Sequence, residues 1–102
     1  MQYLVTMDAN EATPLWPPEE RERFIQEIIH PGFELVNRLK AEGKIVAGGL
    51  QVGRKALSFI AEAESNDAMD RMLQSIPWYY TTHIDVIPLR TWGEYQVGDM
   101  GQ

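Results

Sequence analysis

The sequence predicts an α+β domain in which four antiparallel strands form one sheet and two helices cover one face of that sheet. Two observations carry this prediction. Apolar residues alternate with polar ones in short segments, and they recur at helical spacing in two longer segments. These segments follow one another in the order strand, helix, strand, strand, helix, strand. A chain of 102 residues forms one domain. We therefore expect a single domain over residues 1–102, with a C-terminal tail at residues 91–102.

The first strand is predicted at residues 2–7, which alternate and are rich in β-forming side chains. The proline-containing segment 10–18 follows as a loop that leads into a helix, because proline is tolerated at the first helical position. The helix carries an apolar stripe with spacings of three, four and seven, made of Phe24, Ile25, Ile28, Ile29, Leu35, Val36 and Leu39. Pro31 interrupts this stripe, so we expect a kink or two abutting helices.

Two further strands are predicted at residues 45–52 and 56–63, joined by a hairpin turn at residues 53–55. A second helix ends at Pro77, and the last strand covers residues 84–89. This order is that of a ferredoxin-like fold, with both helices on one face of the sheet. The other face must be wet or be covered by a second copy of the protein.

Composition excludes several classes of function. The chain has fifteen acidic and nine basic residues, and no stripe of Lys or Arg that could follow phosphates, so nucleic acid is not an expected partner. It has no cysteine, which excludes a disulfide framework, a thiolate zinc site and a cysteine nucleophile. No apolar run approaches membrane-spanning length, and no secretory leader is recognisable. We therefore expect a cytoplasmic protein without a membrane partner.

Strand alternation indicates which side chains share the uncovered face. In the last strand, Ile84 and Val86 would face the helices, which leaves His83 and Asp85 on the opposite side. With the first and third strands, the uncovered face carries Leu4, Thr6, Ser58, Ile60, Glu62, His83 and Asp85. Two such faces would enclose a mostly apolar cavity with a few polar groups, as in a small-molecule site.

Three aromatic residues, Trp78, Tyr79 and Tyr80, precede the last strand. They would form the rim or lid of that cavity, or pack under the partner chain, since aromatic residues are enriched at interfaces. His83 has two interpretations as well. It is either a catalytic or ligand-contacting residue, or a hydrogen-bonded histidine between two subunits.

Other kinds of site are less well supported by the residues present. His30, His83 and Asp85 are the residue types of a two-histidine, one-carboxylate metal centre, but they fall in opposite layers, so no metal is predicted. Glu62 and Asp85 remain open as a pair of carboxylates. The glycines of segment 47–53 have the wrong spacing for dinucleotide binding, and we expect them to permit a bend or a close approach.

The chain resembles the muconolactone isomerase family of the dimeric α/β-barrel superfamily. Four segments carry the resemblance, which covers nearly the whole domain: residues 1–7, Leu39-Lys-Ala-Glu-Gly43, residues 68–77, and Ile84-Asp-Val86 with Leu89. It implies an active site on the concave sheet face that needs no cofactor, and a homodimer or larger ring. The family reaction takes a proton from one carbon of an unsaturated lactone and returns it to another. An imidazole suits such a base, so we predict His83 as the base and Asp85 as the residue that orients or tunes it.

The sequence departs from the family pattern at three places. It has Val46-Ala-Gly-Gly-Leu50 where those enzymes carry bulky, basic and histidine residues, and Leu4 and Thr6 where they carry a polar, basic pair. His83 stands where they tend to have an acid. The leading interpretation is an isomerase for a small unsaturated lactone or enol-type acid, in the catabolism of aromatic compounds. The alternatives are a cofactor-free monooxygenase or cyclase of the same superfamily, and a non-catalytic ligand-binding or assembly module.

Overall fold

The computed structural model describes residues 1–9, 16–90 and 92. Over these residues it confirms the predicted α+β class and strand–helix order. Residues 10–15 of the predicted loop at 10–18, and the tail at 91–102 except Trp92, lie outside the described residues. The elements are β1 (Gln2–Asp8), α1 (Pro18–Phe24), a π-helical turn (Ile25–Ile29), α2 (His30–Ala41), β2 (Ile45–Leu50), β3 (Ala56–Glu62), α3 (Asn66–Gln74), a short 3-10 helix (Tyr79–Thr81) and β4 (His83–Leu89).

The strands form one antiparallel sheet in the order β2-β3-β1-β4. β1 lies inside the sheet and pairs with both β3 and β4, so its backbone groups are bonded on both sides. Its alternate residues Tyr3, Val5 and Met7 are buried against the helices. The hydrophobic core therefore lies between one face of this sheet and the helical layer.

β2 contains one irregularity, at its first residues. Ile45 lies opposite Ala61 while Ala47 lies opposite Ile60, so β2 carries one extra residue at this point. After this bulge, Gly48 faces the helical layer opposite Phe59, and a methyl group on Gly48 would overlap the backbone of β3. The glycine thus permits the bend and close approach that the sequence predicts for this segment.

The first helical segment is broken where proline occurs. Pro31 has no N–H to donate to the carbonyl of Glu27, and its ring would clash with that carbonyl in a regular α-helix. The structure has a wider turn here, in which the His30 N–H bonds to the Ile25 carbonyl, five residues back. As expected, two helices abut rather than forming one straight rod.

Trp78 is packed where the helical layer meets the sheet. It is 3% exposed, and its indole N–H donates to the Met7 sulfur at 3.3 Å. The Phe33 ring meets it edge-on, with ring centroids 5.0 Å apart. Gly32 lies directly against the indole, and a methyl group at that position would overlap the ring. The backbone at the start of α2 therefore packs directly against the Trp78 ring, at a distance that only glycine allows at position 32.

Replacement of Gly32 by alanine is expected to destabilise the protein by about 1–3 kcal/mol, because the added methyl group forces the indole out of its position. This loss exceeds the intrinsic preference of a helix for alanine over glycine, which is about 1 kcal/mol. Urea unfolding of both proteins measures the difference. Gly49→Ala is the matched control, since a methyl group there meets nothing within 4 Å. Equal stability of Gly32→Ala and wild type would contradict this packing.

Candidate functional site

The uncovered face of the sheet brings together the residues that the sequence placed there. Cα partners in antiparallel strands share a face, and the register has two rows across β3, β1 and β4. In the first row Leu4 lies opposite Ile60 and Ile87, which makes the row apolar. In the second row Thr6 lies opposite Ser58 and Asp85, which makes it polar.

Hydrogen bonds tie the polar row together. The hydroxyls of Thr6 and Ser58 are 3.0 Å apart, and the Gln51 side-chain amide donates to the Ser58 hydroxyl at 3.0 Å. These bonds join β1, β3 and the residue that follows β2, and they fix the hydroxyls of β1 and β3 in place. Their orientation is therefore set before any ligand binds.

His83 and Asp85 lie on β4, at the edge of the same face. The His83 Nε2 and Asp85 Oδ1 atoms are 3.6 Å apart, and the side chains are 71% and 67% exposed. This distance is longer than a hydrogen bond, so the two groups attract each other as an ion pair when the imidazole is protonated. Among the described residues of a single chain, nothing encloses them.

Glu62 is too far from Asp85 to act with it as a carboxylate pair. It lies opposite Gln2, whereas Asp85 lies opposite Thr6, so the two are separated by four residues along β1. At about 3.3 Å per residue this is roughly 13 Å, beyond the carboxylate spacing of glycosidase-like sites. Glu62 instead lies 3.5 Å from the N-terminal ammonium group. Within the described part of the chain, no three His, Cys, Asp or Glu side chains cluster as metal ligands.

The three consecutive aromatic residues are separated by the fold. Trp78 lies in the core, on the helix-covered side of the sheet, while Tyr80 is 85% exposed. Tyr79 is half-buried, and its ring meets that of Tyr80 edge-on, with centroids 4.9 Å apart. Trp78 is thus on the side of the sheet opposite to His83, where it lines a cavity on the helix-covered side.

This helix-side cavity has a volume of about 340 Å³ and lies between the helices and the end of the sheet. Such a volume is at the lower end of the range of small-molecule sites. Its walls are apolar and largely aromatic, formed by Met7, Phe24, Ile29, Phe33, Leu50, Leu57 and Trp78. An apolar ring can be held here within a single chain.

The π-helical turn explains why two phenylalanines nine residues apart line the same cavity. In a regular α-helix nine residues make about two and a half turns, which would place Phe24 and Phe33 on opposite sides. The wider turn at residues 25–29 rotates less per residue, and both rings line the cavity. Sequence periodicity assigned Phe24 to the core stripe, and neither the cavity nor this rotation was foreseen.

The polar lining of the cavity comes mainly from the turn between β2 and β3 and from the segment before β4. Arg54 and Lys55 are the charged residues among the described lining, and both are positive. Arg54 forms an ion pair with Asp8. Thr81 and Thr82 line the cavity as well. The lining is otherwise apolar, so the cavity suits a small apolar ring.

Among the described helices, none is both long and apolar enough to cross a membrane. A search of curated proteins finds no match. Solved structures that are similar in fold include the two enzymes that follow. Muconolactone isomerase aligns with a TM-score of 0.73 and 21% identity over 89% of this chain and 90% of that one.

The second is TftG from Burkholderia phenoliruptrix AC1100, a 5-chloro-2-hydroxyhydroquinone dehydrochlorinase in complex with 2,5-dihydroxybenzoquinone. It aligns with a TM-score of 0.64 and 18% identity over 94% of this chain and 100% of that one. Both likenesses show a shared fold. The family model described as muconolactone delta-isomerase matches residues 1–94. In agreement with the resemblance seen in the sequence, the chain belongs to the muconolactone delta-isomerase family.

Proposed function

We propose that this protein is a cofactor-free isomerase that moves a double bond within a small unsaturated lactone or enol-type acid by proton transfer. The observation that carries the proposal is the apolar cavity of about 340 Å³ in a chain of this family. Apolar walls reduce the access of water to an enolate-like intermediate before the proton is returned to the correct carbon. We place the reaction in the cytoplasmic catabolism of aromatic compounds.

The ring of the substrate is proposed to lie against Phe33 and Trp78. Flat unsaturated rings pack well against aromatic side chains, and these two meet edge-on at one wall of the cavity. The quinone bound to TftG is a flat ring comparable in size to a small lactone. 2,5-Dihydroxybenzoquinone therefore serves as a second ligand in the binding experiment below.

Proton transfer is proposed to depend on His83, with Asp85 as the positioning residue. An imidazole can accept and return a proton, and the Asp85 carboxylate lies 3.6 Å from the imidazole of His83. The His83 side chain and the hydroxyls of Thr6 and Ser58 lie on the uncovered face, where they would contact a substrate bound between two copies of the chain.

A substrate held against Phe33 and Trp78 would instead bind in the cavity of a single chain. The His83→Ala and Leu50→Trp variants distinguish these two positions.

We further propose that the uncovered face meets a second copy of this chain, which would form the homodimeric barrel. Leu4, Ile60 and Ile87 make an apolar row across three strands, and none of the described helices covers it. Ile87 is 53% exposed. A second copy would remove this row from water and enclose His83 and Asp85.

Replacement of His83 by alanine is expected to lower kcat for muconolactone isomerisation by about a hundredfold or more, because general acid–base groups contribute on that order. The measurement is the change in ultraviolet absorbance as the double bond moves. His30→Ala, an exposed histidine on α2, serves as the control and should retain full turnover. Unchanged turnover in His83→Ala would place the base elsewhere.

Replacement of Leu50 by tryptophan is expected to abolish the thermal stabilisation that muconolactone or 2,5-dihydroxybenzoquinone gives the wild type, because the larger side chain fills the cavity. Val52→Trp is matched to it, since Val52 is fully exposed in the same turn region and does not line the cavity. Differential scanning fluorimetry compares the shifts. If both variants respond to ligand as the wild type does, the ligand binds outside this cavity.

Replacement of Leu4 by glutamate is expected to weaken self-association by about a hundredfold or more, because it buries a charge at the centre of the proposed interface. Sedimentation equilibrium measures the dissociation constant. The comparison protein is Val52→Glu, which adds the same charge off this face. Wild-type protein that sediments as a monomer would overturn the homodimer, and an unaffected Leu4→Glu dimer would place its interface elsewhere.

A further inference from the structure

The polar row of the uncovered face is extended by a third hydrogen-bonding side chain besides Thr6 and Ser58. Gln51 follows the last residue of β2, and its side-chain amide donates to the Ser58 hydroxyl at 3.0 Å. The Ser58 and Thr6 hydroxyls are themselves 3.0 Å apart. All three residues are half-buried. They therefore form a chain of hydrogen bonds that runs from the edge of the sheet to the interior strand β1.

The number of hydrogens in this chain leaves one for a ligand. A hydroxyl has one hydrogen to donate and two lone pairs with which to accept. The bond between Thr6 and Ser58 uses one of their two hydrogens, whichever residue donates. The bond from Gln51 uses neither of them, because Ser58 is the acceptor there. One hydroxyl hydrogen of the pair therefore takes no part in these bonds.

Gln51 determines which hydroxyl carries that hydrogen. A hydroxyl that accepts a hydrogen bond becomes a stronger donor, so the bonds of a chain strengthen one another when they all run in the same direction. Because Gln51 donates to Ser58, the strengthened arrangement has Ser58 donating to Thr6. The remaining hydrogen is then that of Thr6, which lies near the middle of the uncovered face because β1 pairs on both sides.

The apolar row lies next to this hydrogen. Leu4 is two residues from Thr6 on the same face of β1, so their Cα atoms are roughly 7 Å apart. Leu4 lies opposite Ile60 and Ile87. A small ring on this row thus places an attached oxygen within reach of Thr6. The charged residue opposite Thr6 is Asp85, whose carboxylate repels anions, so a neutral carbonyl oxygen fits this position.

We infer that Thr6 donates the hydrogen bond that holds the carbonyl oxygen of a lactone ring, and that Gln51 is the positioning residue that directs this donor through Ser58. The inference rests on the proposed function, with the substrate between two copies of the chain. When a proton leaves the ring, the carbonyl oxygen gains negative charge, and a donor oriented beforehand stabilises that charge. Gln51 acts here without touching the substrate.

The substitution Gln51→Glu reverses the chain of hydrogen bonds with little change in side-chain size. The introduced carboxylate carries no hydrogen and can only accept. Ser58 then donates to the carboxylate and Thr6 donates to Ser58, so neither hydroxyl keeps a hydrogen for a ligand. The variant thus removes the proposed donor while both hydroxyls stay in place.

The test uses two small rings, of which only one has a carbonyl group, 2(5H)-furanone and 2,5-dihydrofuran. Each is titrated into the full-length protein and followed through the backbone amide signals in NMR spectra. The wild type is expected to bind furanone about fivefold more tightly, as one neutral hydrogen bond allows, with signal changes at Leu4, Thr6 and Ser58. Gln51→Glu and Thr6→Val should remove the preference and leave dihydrofuran binding unchanged, whereas Thr6→Ser should retain it.

Val52→Glu is the matched control, since it adds the same charge one residue further on, at a fully exposed side chain. It should keep the wild-type preference. Thermal melts verify that each variant folds, and a purely structural defect would weaken the binding of both rings alike. Equal affinity of the wild type for the two rings, no binding of either ring, signal changes confined to the helix-side cavity, or a preference that survives in Gln51→Glu would each overturn the inference.

These titrations measure binding without turnover, so the two proposals fail separately. Lactone isomerisation by a protein that binds the two rings equally would leave the isomerase standing and remove the Thr6 donor. A preference for the carbonyl ring in a protein that isomerises no lactone would leave the donor and remove the isomerase.

Discussion

The packing of Trp78 connects the separate parts of this fold. Its ring contacts β1 through Met7 and the start of α2 through Gly32 and Phe33. A buried indole N–H requires an acceptor, and the Met7 sulfur provides it. Because the same ring forms a wall of the apolar cavity, the contact that holds the helical layer on the sheet also shapes the candidate ligand site.

The π-helical turn and Gly32 together shape that cavity. Pro31 prevents a regular α-helix, and the π-helical turn before it rotates Phe24 to the same cavity as Phe33. Gly32 then allows the helix to approach the indole closely. In a regular α-helix Phe24 would not face the cavity, and a larger residue at position 32 would displace the Trp78 ring. The π-helical turn and Gly32 therefore allow both aromatic walls of the cavity to form.

The two sides of the sheet offer different chemistry to a substrate. The helix-covered side provides a partly open apolar cavity, whereas the uncovered side provides the exposed His83 and Asp85 and the hydrogen-bonded hydroxyls of Thr6 and Ser58. β1 connects them, because Met7 lines the cavity while the adjacent Asp8 is the Cα partner of His83. Membership of the muconolactone delta-isomerase family is the basis on which we propose proton-transfer chemistry for this chain.

The sequence by itself determined the order of the elements, the break at Pro31 and the side chains that share the uncovered face. Strand side chains alternate with a period of two, so Thr6, Ser58 and Asp85 could be assigned to one face without coordinates. Only the tertiary structure decided that Trp78 turns into the core while Tyr80 turns to solvent, because a short 3-10 helix rotates neighbouring side chains apart. It also decided the cavity, whose walls come from residues distant in the chain. Such residues appear in the sequence as ordinary core, since hydrophobic periodicity shows which face is buried but not where packing leaves a space.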